Sequence, residues 1–148
     1  MNRFSSRFLS IVCIIVSFVA IAERAAAAVL PYAARGTAHF VSPTDFVGSG
    51  QATHLGRYSE AGRVAFTPTG NPAVLHVEGS IVYTAANGDE LHATVSGELN
   101  GATGAISATV TYSGGTGRFA NATGSGALSG QLDAQGVISV SVDGSVQY

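Results

Sequence analysis

Apolar and polar residues alternate along the C-terminal half of this 148-residue chain, and this period of two constrains the fold more than any other feature. In the last segment, Ile138, Val140 and Val142 alternate with Ser139 and Ser141. Successive side chains of a β-strand point to opposite faces, so one face of this segment is apolar and the other is wet. The pattern predicts a strand with one buried face.

The same alternation, interrupted by turn residues, predicts about eight strands. They are expected at Arg35 to Val41, Phe46 to Leu55, Gly62 to Thr67, Val74 to Thr84, Leu91 to Leu99, Ile106 to Tyr112, Ser125 to Leu132 and Ile138 to Val146. Asn87-Gly88, Asn100-Gly101 and Asp133 to Gly136 carry the residues of tight turns between them. Beyond the N-terminal segment, the one helical candidate is a short turn near Phe119 to Ala122.

Strands of this length, joined by tight turns, leave two all-β architectures: an eight-stranded antiparallel β-barrel and a two-sheet β-sandwich. Glycines lie inside predicted strands at positions 48, 50, 79, 97, 126 and 130. They let a sheet coil sharply where a small barrel closes, and they remove side chains where opposing walls would collide. A sandwich can use some of them at its corners. The glycine placement therefore favours the barrel and leaves the sandwich as the alternative.

Residues 1–28 are predicted to be a signal peptide, and residues 29–148 a single domain. Arg3 and Arg7 form a positive n-region, and an apolar run from Phe8 to Ala22 follows, which is too short to cross a bilayer core. Two small-residue cleavage sites compete, one at Ala22 and one within Ala25 to Ala28, of which the second is favoured. We expect export to the periplasm or the extracellular space, with no stable membrane anchor after cleavage.

Composition excludes several functions for the predicted mature domain. The only cysteine, Cys13, lies in the signal segment, so the domain has no disulfide, no catalytic thiol and no thiolate metal ligand. The domain has no lysine and only four arginines, which are scattered among eight acidic residues. Nucleic-acid binding needs clustered basic residues, so no nucleic-acid partner is expected.

Common catalytic and metal-binding patterns are also missing. The four histidines, His39, His54, His76 and His92, show no short ligand spacing, and alternation places His76 and His92 on the outer face of their strands. The sequence contains no G-x-S-x-G motif. No metal and no cofactor are therefore predicted, and no catalytic residue is assigned.

The run Gly114-Gly115-Thr116-Gly117-Arg118-Phe119, followed by Ala122-Thr123-Gly124-Ser125-Gly126, resembles the signature of dirigent proteins and the wider allene oxide cyclase-like barrels. Its glycines suit a tight loop that Phe119 can pin to the end of the barrel. The resemblance implies a calycin-like eight-stranded barrel over residues 35–148, often assembled as a trimer. It also implies a cavity in which a reactive intermediate is steered or cyclised. The acidic and polar pocket residues of those proteins have no assignable counterparts in this sequence.

Three residues are candidates for ligand binding: His54, Arg57 and Tyr83. The run from Gly50 to Tyr58 looks like a motif of exported bacterial barrels, in which His54 and Arg57 would line a pocket mouth, Arg57 anchoring a carboxylate. The structural alternative is that His54 bonds across strands and Arg57 packs over Tyr58. The leading hypothesis is an exported barrel that binds a small apolar ligand or acts as an assembly unit. The alternative is an isomerase or cyclase similar to allene oxide cyclase, or a dirigent-like steering protein.

Overall fold

Eight antiparallel strands form a closed barrel in the computed structural model, which describes residues 27–148. The strands are β1 (Leu30–Phe40), β2 (Asp45–Ala52), β3 (Gly56–Pro68), β4 (Val74–Ala85), β5 (Glu90–Asn100), β6 (Ala105–Gly115), β7 (Thr123–Leu132) and β8 (Val137–Gln147). Each strand pairs with its neighbours in the chain, and β1 also pairs with β8. The predicted eight-stranded barrel is confirmed, and the sandwich alternative is wrong because the sheet closes on itself.

Most of the predicted signal peptide, including Cys13 and the Ala22 cleavage site, lies outside the described residues. Within residues 27–148, no helix is long and apolar enough to cross a membrane.

The two ends of the barrel are built differently. At one end, a 3-10 turn (Gly117–Phe119) places the Phe119 side chain over the interior, where it is fully buried with Leu91 and Val146. We call this the closed end. At the other end, Phe40 and Phe66 are only partly buried, and their rings lie 6.0 Å apart. We call this the open end. The core cluster runs through both halves of the barrel, and large fully buried side chains such as Phe119 and Leu91 lie at the closed end.

Glycines on β1 and β2 make room for large side chains of β3. The Tyr58 ring lies over Gly36 and Gly50, since a Cβ atom at these positions would be 2.7 Å and 2.6 Å from the Tyr58 hydroxyl oxygen. Likewise, a Cβ atom at Gly48 would lie 2.6 Å from Oε1 of Glu60. These glycines thus accept neighbouring side chains inside the barrel.

Gly50→Ala is expected to destabilise the protein by about 1–3 kcal/mol, because the added methyl group overlaps the Tyr58 ring and the backbone of Arg35. Gly70→Ala is the matched control, since nothing lies within 4 Å of its added Cβ atom. Urea unfolding of both variants measures the difference. Equal free energies of unfolding for the two variants would contradict this account of the glycines.

Candidate functional site

An apolar cavity of about 90 Å³ occupies the half of the barrel toward the open end. Of its lining residues, only Glu60 and Tyr83 carry a polar side chain. The complete lining is Ala38, Phe40, Phe46, Glu60, Val64, Phe66, Val77, Ile81, Tyr83, Val95, Leu99, Ile106, Ala108, Leu128, Leu132, Ile138 and Val140. The barrel is therefore hollow in this half.

Small inward-facing residues leave this space unfilled. Ala38 on β1 and Ala108 on β6 occupy wall positions where most other strands carry Val, Leu, Ile or Phe. Gly97 on β5 pairs with Ala108 and brings the two backbones close, since a Cβ atom at Gly97 would overlap that of Ala108. These positions leave the middle of the barrel unfilled.

Glu60 is the only acidic or basic side chain that is buried in residues 27–148, with 6% of its surface exposed. It lies on β3, paired with Gly48 of β2 and Tyr83 of β4. Burial away from water disfavours the charged carboxylate and raises the pKa of Glu60 to about 7. The carboxyl group therefore titrates near neutral pH.

Four tyrosines fill the interior between Glu60 and the closed end. Tyr58 and Tyr83 pack edge to face with ring centroids 5.3 Å apart, and Tyr32 and Tyr112 lie 5.0 Å apart. Burial raises the pKa of all four hydroxyl groups above the ordinary value of tyrosine. Their hydroxyl groups are neutral at physiological pH. Glu60 and the neutral Tyr83 thus line the inner end of the cavity, and the other three tyrosines pack between it and the closed end.

A carboxyl group in such an apolar setting has two chemical capacities. When ionised, it accepts hydrogen bonds from a donor or a cation; when protonated, it donates one. Because its pKa is near neutrality, it can also give or take a proton in a reaction. The site therefore suits either the recognition of a polar group on an apolar ligand or proton transfer to such a ligand.

Of the three residues predicted from the sequence, only Tyr83 lines the cavity. His54 lies in the turn between β2 and β3 at the closed end, where its Nε2 atom is 2.9 Å from the carbonyl oxygen of Pro31. Arg57 is exposed on the outside of β3. The structure does not bring the three together, and His54 makes the cross-strand contact of the structural alternative.

Glu60 was missed by sequence reasoning. The inward positions of β3 are Tyr58, Glu60, Gly62 and Val64. An acidic residue and a glycine therefore interrupt the apolar pattern that would indicate a buried face. The strand was therefore expected to begin at Gly62, after the acidic residue. The alternation that starts at Tyr58 was the available signal.

The other histidines lie outside the cavity. His76 is 3.1 Å from Glu78, and His92 is 3.0 Å from Glu90, each pair lying along the outer face of one strand. The outward placement predicted for these two histidines is confirmed. Within residues 27–148, no three His, Cys, Asp or Glu side chains come together as a metal site would need.

The glycine-rich run before Phe119 builds the closed end. Arg118 donates a hydrogen bond of 2.5 Å to the carbonyl oxygen of His54 and lies 3.8 Å from Asp89. The Phe119 ring packs against Tyr148, with centroids 5.0 Å apart. The predicted anchoring role of Phe119 is confirmed, and the helical turn lies at Gly117–Phe119 rather than at Phe119 to Ala122.

Fold and site together define a class of protein: closed eight-stranded barrels with an interior apolar cavity and one buried carboxyl group. No family model, curated protein or solved structure matches the chain. The resemblance to allene oxide cyclase-like barrels stays a prediction.

Proposed function

We propose that this protein binds a small apolar molecule inside its barrel, entering through the open end. The observation that carries the proposal is the cavity itself, whose walls are apolar except at Glu60 and Tyr83. Ligand sites commonly combine apolar walls with a few placed polar groups. A barrel whose interior served only as a packed core would not contain this cavity.

The cavity volume limits the ligand. One water-sized sphere needs roughly 10–15 Å³, so 90 Å³ holds on the order of six to nine of them. This corresponds to a single ring or a short chain of about that many non-hydrogen atoms. Anything larger extends past Phe40 and Phe66 into solvent. We therefore propose a ligand with one compact hydrocarbon end.

Filling the cavity tests the proposal. Methylcyclohexane is a neutral probe of suitable size, and its binding is measured by the NMR shifts of the Val95 and Leu99 methyl groups, which line the cavity. Ala108→Leu places a larger side chain in the cavity and is expected to weaken binding about tenfold, a free-energy change of about 1.4 kcal/mol. Ala127→Leu is the matched control, because Ala127 is exposed on the outside of β7.

Two results would contradict the proposal: no methyl shifts with the unaltered protein, or an equal loss of binding in Ala108→Leu and Ala127→Leu. Circular dichroism of both variants checks that the barrel is retained.

An isomerase or cyclase is the second candidate, and the pairing of Glu60 with Tyr83 at the inner end of the cavity favours it. A carboxyl group with a pKa near 7 serves as a general acid or base at neutral pH. Native mass spectrometry of the protein from its own host identifies the retained compound, and incubation of that compound with the protein, followed by chromatography, distinguishes the two functions. A binder retains an unchanged compound, whereas a catalyst converts the compound into a product of the same mass that chromatography separates.

The place of action is part of the same proposal. The predicted signal peptide supports a domain that works in the periplasm or outside the cell. The resemblance supports assembly into a homo-oligomer, a trimer in the related barrels. Neither feature changes which residues line the cavity.

A further inference from the structure

Glu60 lacks the partner that a buried acidic group ordinarily has. Buried polar groups in proteins are nearly always hydrogen-bonded, and buried charges are paired. Burial alone raises the pKa of Glu60. Within residues 27–148, no hydrogen bond and no basic group stabilises the charged form of its carboxyl group. The carboxyl group lies in the cavity wall, so a ligand in the cavity can supply what the protein does not.

The surroundings of Glu60 contain no positive charge. The four arginines of the described chain, Arg35, Arg57, Arg63 and Arg118, are all exposed on the outside of the barrel or at its closed end. The groups that face the carboxyl are Gly48 of β2, the phenol ring of Tyr83 of β4 and, two residues away on its own strand, the phenol ring of Tyr58. Elsewhere the cavity wall is hydrocarbon.

This setting discriminates among ligands by charge. A ligand carboxylate placed at the inner end would put a second negative charge beside Glu60 in a medium that screens poorly, so it is disfavoured. A protonated amine instead makes charge-assisted hydrogen bonds to the ionised carboxylate, which are stronger than bonds between neutral groups. Its charge also cancels that of Glu60.

We infer that the ligand of the cavity is an amine: a small hydrocarbon ring or chain whose protonated nitrogen donates to the Glu60 carboxylate. The inference rests on the proposed binding function and adds the chemical class of the ligand. The hydrocarbon part occupies the apolar cavity, and the nitrogen points toward Glu60 and Tyr83.

Binding of such an amine releases a proton from Glu60. The tyrosines around it stay neutral because burial raises their pKa values, so within residues 27–148 Glu60 is the only buried acidic group, and it titrates near pH 7. Since only the ionised carboxylate pairs with the amine, affinity should rise about tenfold from pH 6 to pH 8. A ligand that accepts a hydrogen bond from protonated Glu60 would show the opposite trend.

The experiment compares three probes of similar shape: cyclohexylamine, methylcyclohexane and cyclohexanecarboxylate. At pH 8, we expect cyclohexylamine to bind at least about tenfold tighter than methylcyclohexane and the carboxylate to bind weakest. In Glu60→Gln the advantage of the amine should disappear, while methylcyclohexane still binds. Retained hydrocarbon binding separates loss of the charge from loss of the fold. Glu98→Gln is the matched control, because Glu98 is exposed on the outside of β5.

Each outcome is decisive. Methylcyclohexane binding without any preference for the amine overturns the inference and leaves the proposed function intact. Tighter binding of the carboxylate, or an affinity for the amine that falls between pH 6 and pH 8, also overturns the inference. If none of the three probes binds, the proposed function fails together with the inference.

Discussion

Phe119→Ala is expected to lower the free energy of unfolding by about 3–5 kcal/mol, the range for removing a fully buried aromatic side chain. The Phe119 ring is completely buried, packs edge to face on Tyr148 and lies 4.8 Å from the guanidinium carbon of Arg118. Its removal leaves a cavity at the closed end and also loosens the turn that Arg118 joins to His54. Urea unfolding followed by tyrosine fluorescence measures the loss.

Phe40→Ala is the matched control at the opposite end of the barrel. Phe40 lines the open cavity and is only partly buried, so its removal should cost less than half as much. An equal loss of stability at the two ends would contradict the distinction between a closed and an open end. Methylcyclohexane binding should survive in Phe119→Ala below its unfolding transition, because the cavity lies in the other half of the barrel.

The sequence predicted the C-terminal strands well for a physical reason. From Val74 onward, inward positions carry Val, Leu, Ile, Tyr or small residues, and outward positions carry mainly Ser, Thr and charged residues. The period of two is therefore visible, and Asn-Gly and Asp-containing turns mark its ends. Strands β4 to β8 match the predicted segments to within a few residues.

The first three strands were predicted less well because their inward positions are unusual. β1 begins at Leu30 rather than Arg35, and its buried positions include Ala34 and Ala38, which carry little hydrophobic signal. β3 begins at Gly56, whereas the predicted strand begins at Gly62, because Glu60 interrupts the apolar pattern of its inward face. β2 ends at Ala52, because residues 53–55 turn through a positive φ of 72° at His54.

The candidate site escaped prediction for the same reason. Sequence reasoning ranks residues by type, and His54 and Arg57 are types that bind ligands often. Arg57 and Glu60 belong to opposite faces of β3, and in the closed barrel Glu60 points inward and Arg57 outward. Tyr83 lines the cavity, as its alternation with Ile81 on β4 indicates, and its contact with a ligand stays a prediction.

The unliganded protein is expected to lose about 3 kcal/mol of stability between roughly pH 4.5 and pH 7 on account of Glu60. The pKa of Glu60 is about 7 in the folded protein and near the ordinary value of 4.5 once the chain unfolds. Below pH 4.5 both states are protonated. Between the two values only the unfolded state gives up its proton, so rising pH favours unfolding, and above pH 7 the loss is complete.

Glu60→Gln removes the group that titrates, so the free energy of unfolding of this variant should change much less over the same range. Asp45, whose pKa is lowered by its hydrogen bond with Arg63, does not obscure the comparison, because it is present in both proteins. Urea unfolding at intervals from pH 4 to pH 8 measures both profiles, and Glu98→Gln should keep the slope of the unaltered protein. Parallel profiles for Glu60→Gln and the unaltered protein would show that Glu60 is not desolvated. If the free energy of unfolding falls with rising pH only in proteins that keep Glu60, the buried carboxylate destabilises the unliganded barrel. A cation bound beside the carboxylate would offset this loss.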